Sequence, residues 1–90
     1  PRAHYNLGLQ LAAARAFGEA KRALDRALEL KPDYAEAFNA LGVVYDAAGD
    51  PAEALARYRE AVRLKPEFVE ARTNLGAGLC EQGLVPEGLG

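Results

Sequence analysis

The amino-acid sequence predicts an all-α protein built from repeated pairs of antiparallel helices. The stretch "LKPDYAEAFNALG", residues 30–42, returns as "LKPEFVEARTNLG", residues 64–76, at a distance of 34 residues. Residues 35–68 aligned with residues 1–34 without a gap give eleven identities. Within each copy, apolar residues recur at the spacing of one helical face. A fixed period of this length is typical of repeat proteins, in which each unit packs against its neighbours.

The chain is expected to form one domain over residues 1–90. It divides into repeat one (1–34), repeat two (35–68) and a partial repeat three (69–90). Because the chain begins at Pro1 and contains no Met, we expect it to be a fragment of a longer protein.

The first helix of each repeat is predicted by a stripe of mostly apolar or small residues at positions i, i+3, i+4 and i+7. The four slots hold His4, Leu7, Gly8 and Leu11 in repeat one, Phe38, Leu41, Gly42 and Tyr45 in repeat two, and Arg72, Leu75, Gly76 and Leu79 in repeat three. A glycine inside a helix costs about 1 kcal/mol relative to alanine. Three such glycines in register predict that a second helix approaches closely there, with Ala20 and Ala54 opposite.

The second helix is predicted by a stripe in the second half of each complete repeat. Its residues are Ala20, Leu24, Ala27 and Leu28 in repeat one, and Ala54, Tyr58, Ala61 and Val62 in repeat two. In repeat two, Gly49 is expected to end the first helix, Asp50 to cap the next and Pro51 to begin it. Repeat one has Arg15 in place of Gly49, and Gly18 is expected to relieve that turn.

Composition and charge exclude several classes of function. Acidic and basic residues number 13 and 11 and are interspersed, so no basic run is available to bind the phosphates of a nucleic acid. The stretch "LAAA" at residues 11–14 is the longest apolar one, far short of the roughly 20 residues that cross a bilayer. Because Cys80 is the only cysteine and no signal peptide pattern is present, a cytoplasmic location is expected.

Catalytic residues are not expected in this sequence. His4 and Cys80 are the only imidazole and thiol, they lie in different repeats, and the chain contains no Ser. A reactive thiol needs an electropositive setting, and a metal site needs several ligands together. We therefore expect a protein that is not an enzyme and has no metal site and no cofactor.

The repeated slots resemble those of the tetratricopeptide repeat (TPR) family. The residues of repeat two that match the family's pattern are Phe38, Leu41, Gly42, Tyr45, Gly49, Ala54, Tyr58, Ala61 and Pro66. Repeat one departs from the pattern at His4 and Arg15, and repeat three at Arg72 and Gly88. The resemblance implies a right-handed superhelix of antiparallel helix pairs whose first helices line a concave groove. It also implies a protein-interaction module or scaffold.

The resemblance further implies which residues face the groove. The expected peptide- or partner-binding residues are Arg2, Tyr5, Asn6, Leu9, Glu36, Asn39, Val43, Asp46, Glu70, Asn74 and Ala77. The same surface would include Ala12, Ala13, Ala40, Ala47, Thr73, Cys80 and Glu81. This lining is rich in amides and mildly acidic, so a neutral or basic segment of a protein or peptide is the favoured partner.

Two TPR subtypes suggest different ligands. The chaperone-binding subtype, which grips a C-terminal carboxylate, uses slots that here hold Tyr5, Leu9, Ala40, Glu70 and Asn74. None of these is a cation, so that clamp is excluded. The superhelix of O-linked N-acetylglucosamine transferases carries an Asn at the sixth position of each repeat, which Asn6 and Asn74 match and Ala40 does not. Since an Asn side chain can both donate and accept, Asn6, Asn39 and Asn74 are candidates to hold a peptide backbone.

Two alternatives to simple peptide binding stay open. The repeats could recruit substrates for a larger enzyme such as a glycosyltransferase. They could also self-associate, because repeat three ends as "EQGLVPEGLG" without a full second helix and an uncapped repeat leaves apolar surface open. The residues expected to form a homodimer contact at this C-terminal end are Val69, Leu75, Leu79, Leu84 and Leu89.

Overall fold

The chain forms five α-helices and no strand within residues 2–81, which are the residues that the computed structural model describes, with side chains for 2–80. The helices are α1 (Arg2–Ala13), α2 (Phe17–Leu30), α3 (Ala35–Ala47), α4 (Pro51–Leu64) and α5 (Val69–Glu81). Helices α2 and α4 begin 34 residues apart, as do α3 and α5. The predicted all-α repeat fold is therefore confirmed.

Each helix packs against the next one along the chain, and α1 also touches α3. This places α1, α3 and α5, the first helices of their repeats, in one row, with α2 and α4 in another. None of the five helices is long and apolar enough to cross a membrane.

The larger of two hydrophobic cores lies between α2 and α3. Its buried residues are Ala20, Leu24, Ala27, Ala37, Ala40, Leu41 and Val44. Alanines on the facing sides keep the two helices close, while Leu24, Leu41 and Val44 are fully buried. Full burial of such side chains contributes about 1.5–3 kcal/mol each, so this core stabilises the contact between the first two repeats.

The second core lies between α4 and α5 and is smaller. Ala54, Leu55 and Tyr58 of α4 are buried in it, and Leu75 and Leu79 of α5 pack against them while half-buried. The ring of Tyr45, on α3, packs against both cores. Its faces are also approached by two cations, with Lys21 Nζ 4.5 Å and Arg57 Cζ 5.5 Å from the ring centroid. One aromatic side chain thus joins α2, α3 and α4.

Of the three glycines in the repeated slot, those of the first two repeats allow close packing, and in repeat three a close approach occurs at Gly78, where an added Cβ would lie 2.7 Å from Leu55 Cδ2. A Cβ on Gly8 would lie 2.6 Å from Leu24 Cγ, and one on Gly42 would overlap the Tyr58 ring. Close approach is as predicted, and the Ala20 carbonyl oxygen lies 3.4 Å from the Cβ position of Gly8. The nearest side chains are those of Leu24 and Tyr58. A Cβ on Gly76 would meet no described atom within 4 Å, because no described helix lies on that side of α5.

The turns after α1 and α3 share one hydrogen-bonding pattern. The Ala16 N–H donates to the Leu11 carbonyl and the Asp50 N–H to the Tyr45 carbonyl, both at 2.8 Å. Such six-residue closures need a left-handed residue, which is Gly49 with φ of +89° in one turn and Arg15 with φ of +63° in the other.

Two predictions about these turns are corrected by the structure. Gly18 does not relieve the first turn, since it lies inside α2 and Arg15 itself takes the left-handed conformation. That conformation costs a side-chain-bearing residue about 1–2 kcal/mol. Pro51 begins α4 as predicted, but Asp50, although in the cap position, makes no side-chain capping bond.

Candidate functional site: the concave groove

A cleft of about 510 Å³ lies where repeat one meets repeat two on the α1–α3 side. We call it the first junction cleft. Its lining residues are Arg2, Tyr5 and Asn6 from α1, Lys31 and Tyr34 from the turn before α3, and Glu36 from α3. Helix and turn residues from two consecutive repeats therefore converge on one polar cavity.

The floor of the first junction cleft is held by a pair of aromatic rings. The Tyr5 and Tyr34 ring centroids lie 5.1 Å apart at an interplanar angle of 41°, within the range in which aromatic pairs attract each other. Lys31 Nζ lies 5.0 Å from the Tyr34 centroid. The Tyr34 N–H donates to the Lys31 carbonyl at 3.1 Å, which fixes the turn that carries both side chains.

The second junction, between repeats two and three, repeats this turn but replaces the tyrosine pair. Lys65 Nζ lies 5.4 Å from the Phe68 centroid, as Lys31 does over Tyr34. In the slot of Tyr5 stands Asn39, whose Oδ1 accepts a hydrogen bond of 3.0 Å from Asn74 Nδ2. Asn39 is 8% exposed, so this bond satisfies an acceptor that burial would otherwise leave unpaired.

Negative charge gathers on the same side of the helices. Burial is the main cause that raises the pKa of the Tyr5 hydroxyl above its usual value, and electrostatic interactions with Tyr34, Glu36 and Glu70 raise it further. The carboxylate of Glu36 also lies 3.6 Å from Lys65 Nζ. Carboxylates of both α3 and α5 therefore act on the pKa of this α1 tyrosine.

The sequence model of the tetratricopeptide repeat matches residues 1–67. The chain belongs to the tetratricopeptide repeat family. The resemblance inferred from the repeated slots is therefore confirmed, and with it a fold that serves generally as a scaffold for protein interactions.

Solved structures support the same assignment. Two crystal structures of MamA superimpose with TM-scores of 0.87 and 0.85, each at 34% sequence identity and over 92% of this chain. The match covers 48% and 45% of those chains, so the present chain spans about half the length of the proteins it resembles. No curated protein matches the chain.

The residues that the TPR resemblance placed in the groove form three groups. Arg2, Tyr5, Asn6 and Glu36 come together in the first junction cleft. The exposed residues outside that cleft are Leu9, Val43, Asp46, Glu70 and Ala77. Asn39 and Asn74 form the third group, and they differ from expectation because their amides bond to each other and Asn39 is buried.

Sequence reasoning missed the contribution of the turns between repeats. Lys31 and Tyr34 line the cleft, but only slots on the first helices were considered. The signal was present in the sequence, since "LKPDY" and "LKPEF" place a lysine and an aromatic residue at the same two positions of consecutive repeats. Because the lysine and the aromatic residue recur at the same positions, the turns can be identified as part of the repeated pattern.

The residues expected to self-associate are not equally available. Val69 is 71% exposed, whereas Leu75 and Leu79 are half-buried against α4. Leu84 and Leu89 lie outside the described residues. Cys80 is exposed, and His4 is half-buried beside Leu7 and Leu11. In the described part of the chain, no three His, Cys, Asp or Glu residues are grouped so that they could hold a metal ion.

Proposed function

We propose that the concave groove of this TPR chain binds an extended segment of a partner protein. The observation that carries the proposal is the first junction cleft, in which side chains of two repeats line one cavity of about 510 Å³. Its tyrosine pair offers a rigid surface for a side chain, and its charged and amide groups offer hydrogen bonds. Such a combination of aromatic and polar groups is typical of sites that recognise peptides.

The asparagines give the groove a way to hold a peptide backbone. The exposed Asn6 amide can donate to a backbone carbonyl and accept from a backbone N–H. At the second junction, Asn74 Nδ2 donates one hydrogen bond to Asn39 Oδ1, and the Asn74 Oδ1 can accept a hydrogen bond from a ligand. Asn39 therefore acts as a support that orients Asn74, and this modifies the expectation that all three asparagines contact the peptide.

Nuclear magnetic resonance titration of the labelled chain with short extended peptides tests this proposal. We expect the largest amide shifts in residues 2–6, 31–36 and 70–74. Largest shifts on the opposite helices, for example around Arg22 of α2 and Arg59 of α4, would contradict it.

A matched pair of substitutions on α1 adds a quantitative test. Asn6→Ala removes a cleft amide, whereas Gln10→Ala removes an amide that is also exposed but lies outside the cleft. One hydrogen bond contributes about 0.5–1.5 kcal/mol, so Asn6→Ala should weaken peptide binding by about two- to tenfold. Equal effects of the two substitutions in titration calorimetry would remove Asn6 from the site.

Self-association through the α5 end is the second candidate function. It is favoured by the 71% exposure of Val69, in a slot where Ala35 of α3 is 4% exposed. We expect Val69→Glu to lower the average mass in a light-scattering concentration series. Leu30→Glu, at the end of α2 where Leu30 is 61% exposed, is the control and should not change it. A chain that scatters as a monomer throughout the series would rule out assembly.

A further inference from the structure

The two junctions of the groove are built alike but carry opposite charge. A shift of 34 residues maps Arg2 onto Glu36 and Lys31 onto Lys65. At the second junction the mapped pair is an ion pair, with Lys65 Nζ 3.6 Å from the Glu36 carboxylate. At the first junction the same two slots hold two cations.

The cations of the first junction have no carboxylate of their own. Among the described residues, neither Arg2 nor Lys31 makes an ion pair, and both are exposed. Glu36 lines the same cleft and also borders the second junction through its pair with Lys65, so its charge is counted at both junctions. The formal charge of Arg2, Lys31 and Glu36 together is therefore +1.

The second junction has the reverse balance. Glu36, Lys65 and Glu70 carry a formal charge of −1, and Glu70 is exposed and makes no ion pair with any described residue. Glu70 nevertheless lies near enough to Tyr5 to act on its hydroxyl through its charge.

We propose that the groove selects a partner segment that carries one acidic and one basic side chain, an Asp or Glu carboxylate at the first junction and a Lys or Arg at the second. This rests on the proposed function and adds to it the chemistry of the partner. The carboxylate of the partner pairs with Lys31, as Glu36 pairs with Lys65 one repeat later. It also pairs with Arg2, which stands in the slot of Glu36. The basic side chain pairs with Glu70.

We expect the two charges of the partner segment to be separated by about one helix spacing. Packed helices lie about 8–10 Å apart, and an extended chain advances about 3.3–3.6 Å per residue. The acidic and basic side chains are therefore about three residues apart in the partner. This differs from a purely basic segment, which the overall acidity of the groove would favour.

Four peptides that differ only at two positions, three residues apart, test the inference on the 90-residue chain. The two positions hold acid and base, base and acid, two acids, or two bases. We expect one of the mixed peptides to bind about two- to fivefold tighter than either like-charged peptide, the range for an exposed ion pair. The advantage should disappear at high salt.

The outcomes separate the inference from the proposed function. If the peptides bind in the groove with equal affinity, or if the doubly basic peptide binds tightest, the charge selection is wrong and groove binding stands. If none of the four binds at high micromolar concentration, both are wrong.

Charge reversal identifies the residues responsible. Lys31→Glu gives the first junction the sign of the second and should transfer the preference from the mixed peptide to the doubly basic one. Lys31→Gln should abolish the preference without reversing it. Arg59→Glu makes the same change at an exposed site on α4 and should leave the order of the four affinities as it is. Unchanged order in Lys31→Glu would overturn the proposal.

Discussion

Helices α3 and α5 are the first helices of successive repeats, yet two slots that are buried in α3 are more exposed in α5. Ala35 is 4% exposed and its counterpart Val69 is 71% exposed. Leu41 is 1% exposed, whereas Leu75 is half-buried. Ala37 and Ala71 are both fully buried, because each faces the helix that precedes it. The periodic pattern therefore assigns a residue to a face of its helix, and the neighbouring helices decide whether that face is covered.

The leucines of the two helices should show the largest difference. Leu41→Ala removes a fully buried side chain from the α2–α3 core, for which a loss of about 2–5 kcal/mol in unfolding free energy is expected. Leu75→Ala removes a half-buried one and should cost about 1 kcal/mol. Urea denaturation followed by circular dichroism measures both. Similar losses would mean that α5 is as well covered as α3.

Substitution of Gly42 and of Gly76 by alanine should change stability in opposite directions. Gly42→Ala places a methyl group into the Tyr58 ring, which is 3% exposed and has little room to move. Overpacking of this kind costs about 1–3 kcal/mol, against about 1 kcal/mol gained in helix propensity. Gly76→Ala gains the propensity and meets no described atom. We expect the first variant to lower the midpoint of thermal unfolding and the second to raise it, and a rise in both would refute the close approach at Gly42.

The turns extend the comparison to repeats one and two. Arg15→Gly should stabilise the chain by up to about 1 kcal/mol, since it relieves the left-handed conformation. Part of the gain is offset by loss of the contact between the Arg15 guanidinium and the Phe17 ring, 5.3 Å apart. Gly49→Ala should destabilise by about 1 kcal/mol for the converse reason. Calorimetric unfolding of the two variants checks the signs, which are expected to be opposite.

Substitution of Tyr5 should have the smallest effect on the free energy of unfolding, and this effect should appear at alkaline pH. Its pKa is raised in the folded chain, so the folded state holds the hydroxyl proton more tightly than the unfolded state does. The resulting stability is present below the ordinary tyrosine pKa of about 10 and is lost as pH rises through the folded value. Tyr5→Phe removes this contribution. Its unfolding free energy should fall less steeply above pH ~10 than that of the parent chain, and parallel curves would contradict the shift.

The sequence allowed the fold to be predicted because its signals are local and repeated. The slots at Phe38, Leu41, Gly42 and Tyr45, together with the turn at Gly49 and Pro51, define two helices and their connection without long-range information. The family resemblance then predicted a concave groove and the residues that line it. Four of the residues that the resemblance placed in this groove, Arg2, Tyr5, Asn6 and Glu36, line one cleft.

What could not be predicted depends on distances between repeats. The bond from Asn74 to Asn39 joins slot six of one repeat to slot five of another, and a pattern within one repeat cannot show how two repeats are offset. The left-handed Arg15 was missed because a nearby glycine seemed a better place for that conformation. Gly76 was grouped with Gly42 because their sequence slots are the same, although only one has a described helix opposite.

The position of Tyr45 determines how these unequal repeats behave together. Its ring belongs to both hydrophobic cores and is flanked by Lys21 from one repeat and Arg57 from the next. In a solenoid, cooperativity depends on the free energy of the interfaces between units relative to that of the units themselves. A side chain shared by two cores strengthens the interface term, because neither core can come apart without exposing it. The strongly packed first two repeats and the weakly covered α5 are therefore expected to unfold in a single transition, and not one repeat at a time.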